Sequence, residues 1–136
     1  MKFREIVDSD VERVVELWRD CGLTRDWNDP YKDIRFARDG ATSTVLVGEV
    51  DGRVVTSVMV GHDGHRGVLY YLAVDPSVRR RGFGKAAHDA AVAWLKQRGV
   101  WKINLMVRSE NQGVAGFYES LGYAVNPVLS YGKRID

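Results

Sequence analysis

The chain has 136 residues, of which 45% are hydrophobic and 28% are charged, and its net charge is only +2. This ordinary globular balance predicts one domain over residues 1–136 and excludes the broad basic surface of a general nucleic-acid-binding protein. A single cysteine, Cys21, excludes an internal disulfide. Because no signal peptide and no apolar run of about 18 residues are found, a cytoplasmic protein without membrane contact is expected.

The first elements are a strand and a helix. Residues 2–7 predict a strand, and the helix that follows begins at a capping-box signal, S-x-x-E, formed by Ser9 and Glu12. Its apolar face has helical spacing and ends near Gly22. Cys21 lies on that face, which indicates a packed thiol and not a nucleophile.

A second helix is predicted to begin with Asp29 as its N-cap and Pro30 in the first position, and to end near Gly40. The loop before it, residues 23–28, is polar and carries one large aromatic residue, Trp27. Two interpretations of Trp27 remain open, because the indole can cover the edge of the core or form the wall of a substrate pocket.

The middle of the chain predicts a β-hairpin over residues 43–50 and 53–61. Its turn is Asp51-Gly52, a dipeptide that tolerates the positive φ angles of a type I′ turn. The sequence after the hairpin, residues 61–67, has two glycines at its ends and reads as a flexible loop that leads into the next strand.

This loop contains two histidines three residues apart, His62 and His65. Structural zinc usually needs four protein ligands and catalytic zinc three, yet the remaining Cys and His residues, Cys21 and His88, belong to other predicted elements. The sequence therefore predicts no metal site.

A strand, a basic glycine-rich loop and a helix follow one another in the centre of the chain. Residues 68–74 form an apolar run that predicts a buried strand, ended by Asp75-Pro76, and residues 85–98 have helical periodicity. Such a loop directs free backbone N–H groups and the positive end of the helix dipole at an anion. The candidate anion-binding residues are Arg79, Arg80, Arg81, Gly82, Phe83, Gly84 and Lys85.

Three interpretations of this loop compete. Residues 82–87 fit the dinucleotide pattern G-x-G-x-x-A, but no acidic residue stands between Asp89 and Glu110, where that pattern needs one. A solvated basic turn is the second interpretation. The third is the pattern R-x-x-G-x-G, from Arg79 to Gly84, which resembles the pyrophosphate loop of the GNAT N-acetyltransferase superfamily.

The C-terminal part carries a second motif. Residues 102–107 predict a fifth strand, and residues 123–135 predict two final strands broken at Asn126-Pro127. Between them, a helix opened by Asn111 and closed by Gly122 matches the other GNAT signature, N-x-x-x-A-x-x-F-Y-x-x-L-G-[FY].

The two motifs occur in the GNAT order, and the second begins 29 residues after Gly82. The resemblance covers the whole chain, and the segments 27–30 and 63–67 are similar to those of the small bacterial YpeA-like subgroup. It implies an α/β (α+β) fold of the GNAT type. Such a fold has a mixed, mostly antiparallel central sheet with helices on both faces and with strands four and five splayed apart.

The resemblance also implies an enzyme that uses acetyl-CoA as co-substrate, with no metal. Backbone groups of Leu72, Ala73 and Val74 then hold pantetheine and thioester, the loop from Arg79 to Lys85 holds pyrophosphate, and Asn111 contacts the cofactor. Tyr118 corresponds to the family's general acid, which protonates the leaving thiolate. A buried packing tyrosine is the alternative interpretation of Tyr118.

One departure concerns the general base. Many relatives that acetylate protein N-termini carry a glutamate on strand five, where this chain has Met106. The remaining candidates for the base are Glu110, Asp63, His65 and Glu49, acting directly or through water. An exposed amine that reaches the site already neutral needs no base. The residues expected on the acceptor side are Trp27, Asp63, His65 and Glu110.

The expected activity is N-acetylation of a primary amine, on a small molecule or a peptide, by direct attack on acetyl-CoA. The alternative is a non-catalytic module that senses acyl-CoA. Neither hypothesis involves nucleic acid or a membrane. The oligomeric state stays open, and a homodimer is one option because relatives are often dimers.

Overall fold

The structure is a computed structural model that describes residues 1–136. Its sheet has five strands in the order β1-β2-β3-β4-β5, of which β4 and β5 pair in parallel and the other neighbours are antiparallel. The mixed, mostly antiparallel sheet predicted from the sequence is therefore confirmed. The strands are β1 (Phe3–Glu5), β2 (Ser43–Val50), β3 (Arg53–His62), β4 (Gly67–Val74) and β5 (Ile103–Asn104).

Four α-helices accompany the sheet, and none is long and apolar enough to cross a membrane. Short 3-10 turns precede the first helix at Asp8–Asp10 and follow β4 at Pro76–Val78. The helices are α1 (Val11–Asp20), α2 (Pro30–Asp39), α3 (Phe83–Lys96) and α4 (Gln112–Ser120).

The sheet buries both of its faces, which explains why its central strands are apolar almost without interruption. Val45 and Val47 of β2 belong to a core cluster with α1 and α2, whereas Leu46 between them belongs to a second cluster with α3. Helices therefore cover both faces of the sheet, as the sequence predicts.

By its internal contacts the chain forms two compact units, Met1–Leu105 and Met106–Asp136. The N-terminal unit contains the whole sheet with α1, α2 and α3, and the C-terminal unit contains α4. The assignment of residues 1–136 to a single domain stays a prediction.

Several local signals are confirmed in the structure. Asp51 and Gly52 have φ angles of 51° and 78°, as a type I′ hairpin turn requires. The carboxylate of Asp29 caps α2 by accepting from the backbone N–H of Tyr31 at 2.9 Å and of Lys32 at 3.3 Å.

The predicted capping box of α1 is wrong. The helix begins at Val11, and no side chain caps it. Asp10 instead binds the Arg4 guanidinium at 2.6 Å and accepts from the Val7 N–H at 2.8 Å, so that it ties the helix to β1. Arg4 holds the pKa of Asp10 below its usual value. A tertiary ion pair thus takes the place of the local cap, and Ser9 is exposed.

The two strands predicted over residues 123–135 are wrong, because that segment contains no strand. The fifth strand is confirmed, but it has two residues instead of the six of 102–107. Pro127 has no N–H to donate, and a tight bond from Val128 N–H to Asn126 C=O at 2.9 Å turns the backbone there. The apolar composition of this segment predicts strands, but no ladder partner is present for it.

The core of the N-terminal unit contains one polar contact whose loss should be measurable. Trp18 is fully buried, and its Nε1–H donates to Ser57 Oγ at 2.9 Å. We expect Ser57→Ala to lower the free energy of unfolding by about 1–3 kcal/mol, because the indole N–H keeps its desolvation cost without a partner.

Urea denaturation measures this loss, and Ser9→Ala is the matched control. Since Ser9 caps nothing, its replacement should change stability by less than about 0.5 kcal/mol. A loss near 1 kcal/mol for Ser9→Ala would instead indicate a working N-cap, and an unchanged stability of Ser57→Ala would contradict the importance of the indole bond.

Candidate active site

The loop after β4 is fixed by Asp75. Its carboxylate accepts from the N–H of Ser77 at 2.9 Å and binds the guanidinium of Arg13, on α1, at 2.6 Å. These two partners, Ser77 first, lower the pKa of Asp75. The turn that leads from β4 to α3 is therefore anchored to the body of the N-terminal unit.

The N-terminus of α3 offers hydrogen-bond donors. Gly82 is the N-cap residue with φ 79°, and no side chain caps the helix. The first amide to find an acceptor is that of Ala86, which donates to Gly82 C=O at 3.0 Å, so the amides of residues 83–85 remain free. A Cβ on Gly82 would meet no protein atom within 4 Å, which leaves open space beside these donors. Free donors at the start of a helix and open space at the Gly82 Cβ position are features that anion binding needs.

Positive charge surrounds the same helix end. Arg79, Arg80 and Arg81 are exposed and pair with no carboxylate, and Arg80 adopts a positive φ of 66°. Lys85 differs, because its ammonium lies 2.7 Å from Asp89 on the next turn of the helix. The arginines are thus available to a phosphate, whereas the charge of Lys85 is partly compensated.

The edge of β4 is open next to this loop. β5 pairs with β4 only at Gly67 and Val68, and it ends at Asn104. Residues 69–74 have no strand on that side, so alternate peptide groups of this stretch face away from β3. The predicted separation of strands four and five is confirmed.

Two carbonyl groups of this stretch already have side-chain partners. Ala73 C=O accepts from Thr56 Oγ1 at 2.7 Å, and Val74 C=O accepts from Cys21 Sγ at 3.2 Å. Cys21 directly follows α1, where it is partly buried against the core, so it is a packed thiol with a structural contact, as predicted.

A bulge interrupts β4 at Tyr71, a feature that sequence reasoning missed. The register between β3 and β4 shifts between Ser57 and Met59, and Tyr71 adopts φ 54°. Its ring stacks on Trp18 with a centroid distance of 3.8 Å, and its hydroxyl donates to Asp33 Oδ2 at 2.6 Å. A positive φ at tyrosine has no sequence signature, because it depends on the pairing of distant strands.

The residues predicted on the acceptor side lie in different places. Trp27 is 64% exposed in the loop between α1 and α2. Asp63 and His65 are at the β3–β4 turn, at the opposite end of β4 from the arginine loop, about 23 Å away along the strand. Glu110 belongs to the C-terminal unit. No three Asp, Glu, His or Cys side chains in the chain are arranged to hold a metal ion.

Asp63 stabilises the turn in which it lies. Its carboxylate accepts from the N–H groups of Arg66 at 2.7 Å and His65 at 2.8 Å. These backbone donors lower the pKa of Asp63, which makes its carboxylate a weaker base. These backbone contacts give Asp63 a structural role in the turn, and that role explains an aspartate at this position without a catalytic function.

In the C-terminal unit, Asn111 opens α4 by accepting the Val114 N–H at 3.2 Å on its Oδ1. Tyr118, on the same helix, is half-buried, and its ring contacts Phe117 and Tyr123 edge-on at centroid distances of 5.1 and 5.5 Å. Burial, and to a smaller extent Tyr123, raises the pKa of Tyr118 to about 12.

The raised pKa of Tyr118 can be measured directly. A raised pKa means that the phenol stays protonated at higher pH, so we expect the Tyr118 ring signal to be unchanged through pH 10, where free tyrosine is half ionised. NMR of ring-labelled tyrosines measures it, with Tyr118→Phe to assign the signal of Tyr118 and Tyr131→Phe to assign that of an exposed tyrosine. Half ionisation of Tyr118 near pH 10 would contradict the effect of burial.

The sequence profile of the acetyltransferase (GNAT) family matches residues 11–123. The chain belongs to the GNAT acetyltransferase family. A curated relative, acetyltransferase YE1169 of Yersinia enterocolitica, is 44% identical over 135 residues, which cover 99% of this chain and 96% of the relative. The protein is therefore an acetyltransferase, as the two sequence motifs imply.

Solved structures of this family share the fold. AAC(6')-Iy, in complex with the bisubstrate analogue CoA-S-monomethyl-acetylneamine, has a TM-score of 0.81 at 18% identity, with 98% of both chains covered. Glucosamine-6-phosphate N-acetyltransferase from Arabidopsis thaliana has a TM-score of 0.73 at 25% identity, with 99% of this chain and 98% of that chain covered. The GNAT fold predicted from the sequence is confirmed.

Proposed function

We propose that this GNAT acetyltransferase moves the acetyl group of acetyl-CoA to a primary amine of a small molecule or peptide, by direct attack of the amine. The observation that carries the proposal is the N-terminus of α3, with three free backbone amides and an uncapped dipole. Three unpaired arginines precede it, so the helix end matches the pyrophosphate of a CoA molecule in charge and in hydrogen bonding.

The open edge of β4 supports the same proposal. Peptide groups of Leu72, Ala73 and Val74 lie in the stretch that β5 leaves unpaired, directly before the arginine loop. An extended pantetheine chain can hydrogen-bond to such an edge as a further strand would, through the peptide groups that Thr56 and Cys21 do not already bind. Acetyl-CoA, when bound, supplies an activated acetyl thioester.

Tyr118 is proposed as the proton donor to the leaving thiolate. Its hydroxyl is protonated at neutral pH, as a phenol with an ordinary or raised pKa is. No protein group accepts a bond from that hydroxyl. Asn111, which the family resemblance assigns to cofactor contact, uses its Oδ1 to cap α4, while its side-chain NH₂ remains a donor.

The amine must be neutral to attack, so its proton has to leave beforehand. Met106 occupies the position of the usual glutamate, and it is 61% exposed. Of the other candidates, Glu49 binds Arg4 at 3.0 Å and Asp63 binds backbone amides. His65 and Glu110 carry fewer contacts and are the remaining side-chain candidates, together with water.

A panel of primary amines and peptides, screened for CoA release in the presence of acetyl-CoA, tests the proposed function. The expected result is saturable thiol release that depends on both substrates. Tight binding of acetyl-CoA with no transfer to any amine, peptide or N-terminus in the panel would contradict it.

A further inference from the structure

A polar cluster that the proposed function does not use lies between α2 and the bulge of β4. It consists of Asp33, Tyr71 and Asn28, and we refer to it as the Asp33 cluster. Asp33 Oδ2 accepts from the Tyr71 hydroxyl at 2.6 Å and from Asn28 Nδ2 at 2.6 Å, and Asn28 Nδ2 also lies 3.0 Å from the Tyr71 oxygen. One carboxylate oxygen is thus held by two neutral donors.

The charge of Asp33 has no partner in the protein. Asp33 is half-buried and takes part in no ion pair, and its Oδ1 accepts no hydrogen bond. The guanidinium of Arg25 is close enough to affect the pKa of Tyr71, but it donates to the carbonyls of Gly22 and Thr24. The free carboxylate oxygen, Oδ1, can therefore accept from a cationic donor outside the chain.

The Asp33 cluster is held in place by Tyr71, which lies at the bulge of β4. Tyr71 holds a positive φ, which is a strained conformation for an aromatic residue, and its ring is stacked on the buried Trp18. Burial and the bond to Asp33 raise the pKa of Tyr71 well above its ordinary value, so the hydroxyl stays a donor. Tyr71 directly precedes Leu72, the first of the residues proposed to hold the thioester.

We propose that Asp33 binds an ammonium group of the acceptor, with Tyr71 and Asn28 as positioning residues that leave Oδ1 for the ligand. This inference rests on the proposed function and deepens it. A carboxylate stabilises the protonated form of an amine, whereas the attacking amine must be neutral. Asp33 therefore binds a second ammonium group, and the substrate class is amines with at least two basic nitrogens, such as diamines, polyamines or amino sugars.

Putrescine and butylamine are matched probes, because they differ in the second amino group. We expect the wild-type protein to prefer putrescine or spermidine over butylamine in kcat/KM. Asp33→Asn should raise the KM for the dibasic amines about 10- to 100-fold, the effect of losing one charge-assisted hydrogen bond, and leave the KM for butylamine unchanged. Tyr71→Phe keeps the stacking on Trp18 and should raise the same KM to a smaller extent.

Asp39→Asn is the control, since Asp39 is an exposed aspartate on the same helix. It should keep the wild-type preference. If Asp33→Asn lowers the melting temperature but keeps the ratio of kcat/KM between putrescine and butylamine, Asp33 is a structural residue and the inference is overturned.

Calorimetry separates this inference from the proposed function. Spermidine should bind to the wild-type protein in the presence of CoA, and about 10- to 100-fold more weakly to Asp33→Asn, whether or not acetyl transfer occurs. Absence of transfer with retained, Asp33-dependent binding would count against the proposed function alone. Equal spermidine affinity of the two proteins, or no binding to either, would overturn the assignment of Asp33.

Discussion

Replacing Tyr118 by phenylalanine is expected to lower kcat by about 10²- to 10⁴-fold while the affinity for acetyl-CoA stays nearly unchanged. The substitution keeps the ring contacts with Phe117 and Tyr123 and removes only the hydroxyl. Because the thiolate then leaves without a positioned proton donor, the loss is on the order of 3–5 kcal/mol in the activation barrier. Steady-state kinetics with acetyl-CoA and the best amine of the panel measures it.

Two controls make this result specific. Tyr131→Phe removes the hydroxyl of an exposed tyrosine in the same unit and should leave kcat within about threefold of the wild type. Acyl donors whose leaving thiol has a lower pKa should restore part of the Tyr118→Phe rate, because they need less protonation. If Tyr118→Phe retains nearly full activity while chemistry limits the rate, Tyr118 is a packing residue.

Gly82→Val should reduce acetyl-CoA binding by at least about 100-fold, equivalent to losing two charge-assisted hydrogen bonds. Gly82 has φ 79° and open space around its missing Cβ, beside the free amides of residues 83–85. A branched side chain would occupy the space through which the pyrophosphate reaches these amides, and it would strain the left-handed backbone. Isothermal titration calorimetry measures the affinity.

Gly99→Val is the matched control for backbone strain. Gly99 follows the other end of α3 with φ 82°, and a Cβ added there would also meet no atom within 4 Å. The substitution should lower stability by a similar amount while preserving the affinity for acetyl-CoA. Equal losses of affinity in the two variants would mean that strain, and not obstruction of the helix end, explains the effect of Gly82→Val.

The parts of the fold that follow from short-range rules could be predicted from the sequence. The turn at Asp51-Gly52, the cap of α2 by Asp29 and the glycine-rich start of α3 each depend on neighbouring residues, and all three are confirmed. The open edge of β4 was predicted from the resemblance to the GNAT family, because no local residue pattern indicates it.

The features that sequence reasoning missed depend on distant contacts. The local pattern predicts Ser9 as a cap, but Asp10 forms a contact with Arg4 of β1 that fixes the start of α1 differently. The Asp33 cluster joins α2 to a bulge of β4, 38 residues along the chain, and neither Asp33 nor Tyr71 belongs to a recognisable motif. The apolar segment 123–135 predicts strands because its composition allows them, but a strand also needs a partner.

The most direct test of acetyl transfer to an amine is a reaction with isotope-labelled acetyl-CoA, in which mass spectrometry follows the label in the acceptor and in the protein. Direct attack predicts one labelled acetyl group on a nitrogen of the amine, an equal amount of free CoA, and no labelled protein during turnover. Release of CoA with the label only in free acetate, or a labelled protein that forms before the product, would contradict direct transfer to an amine.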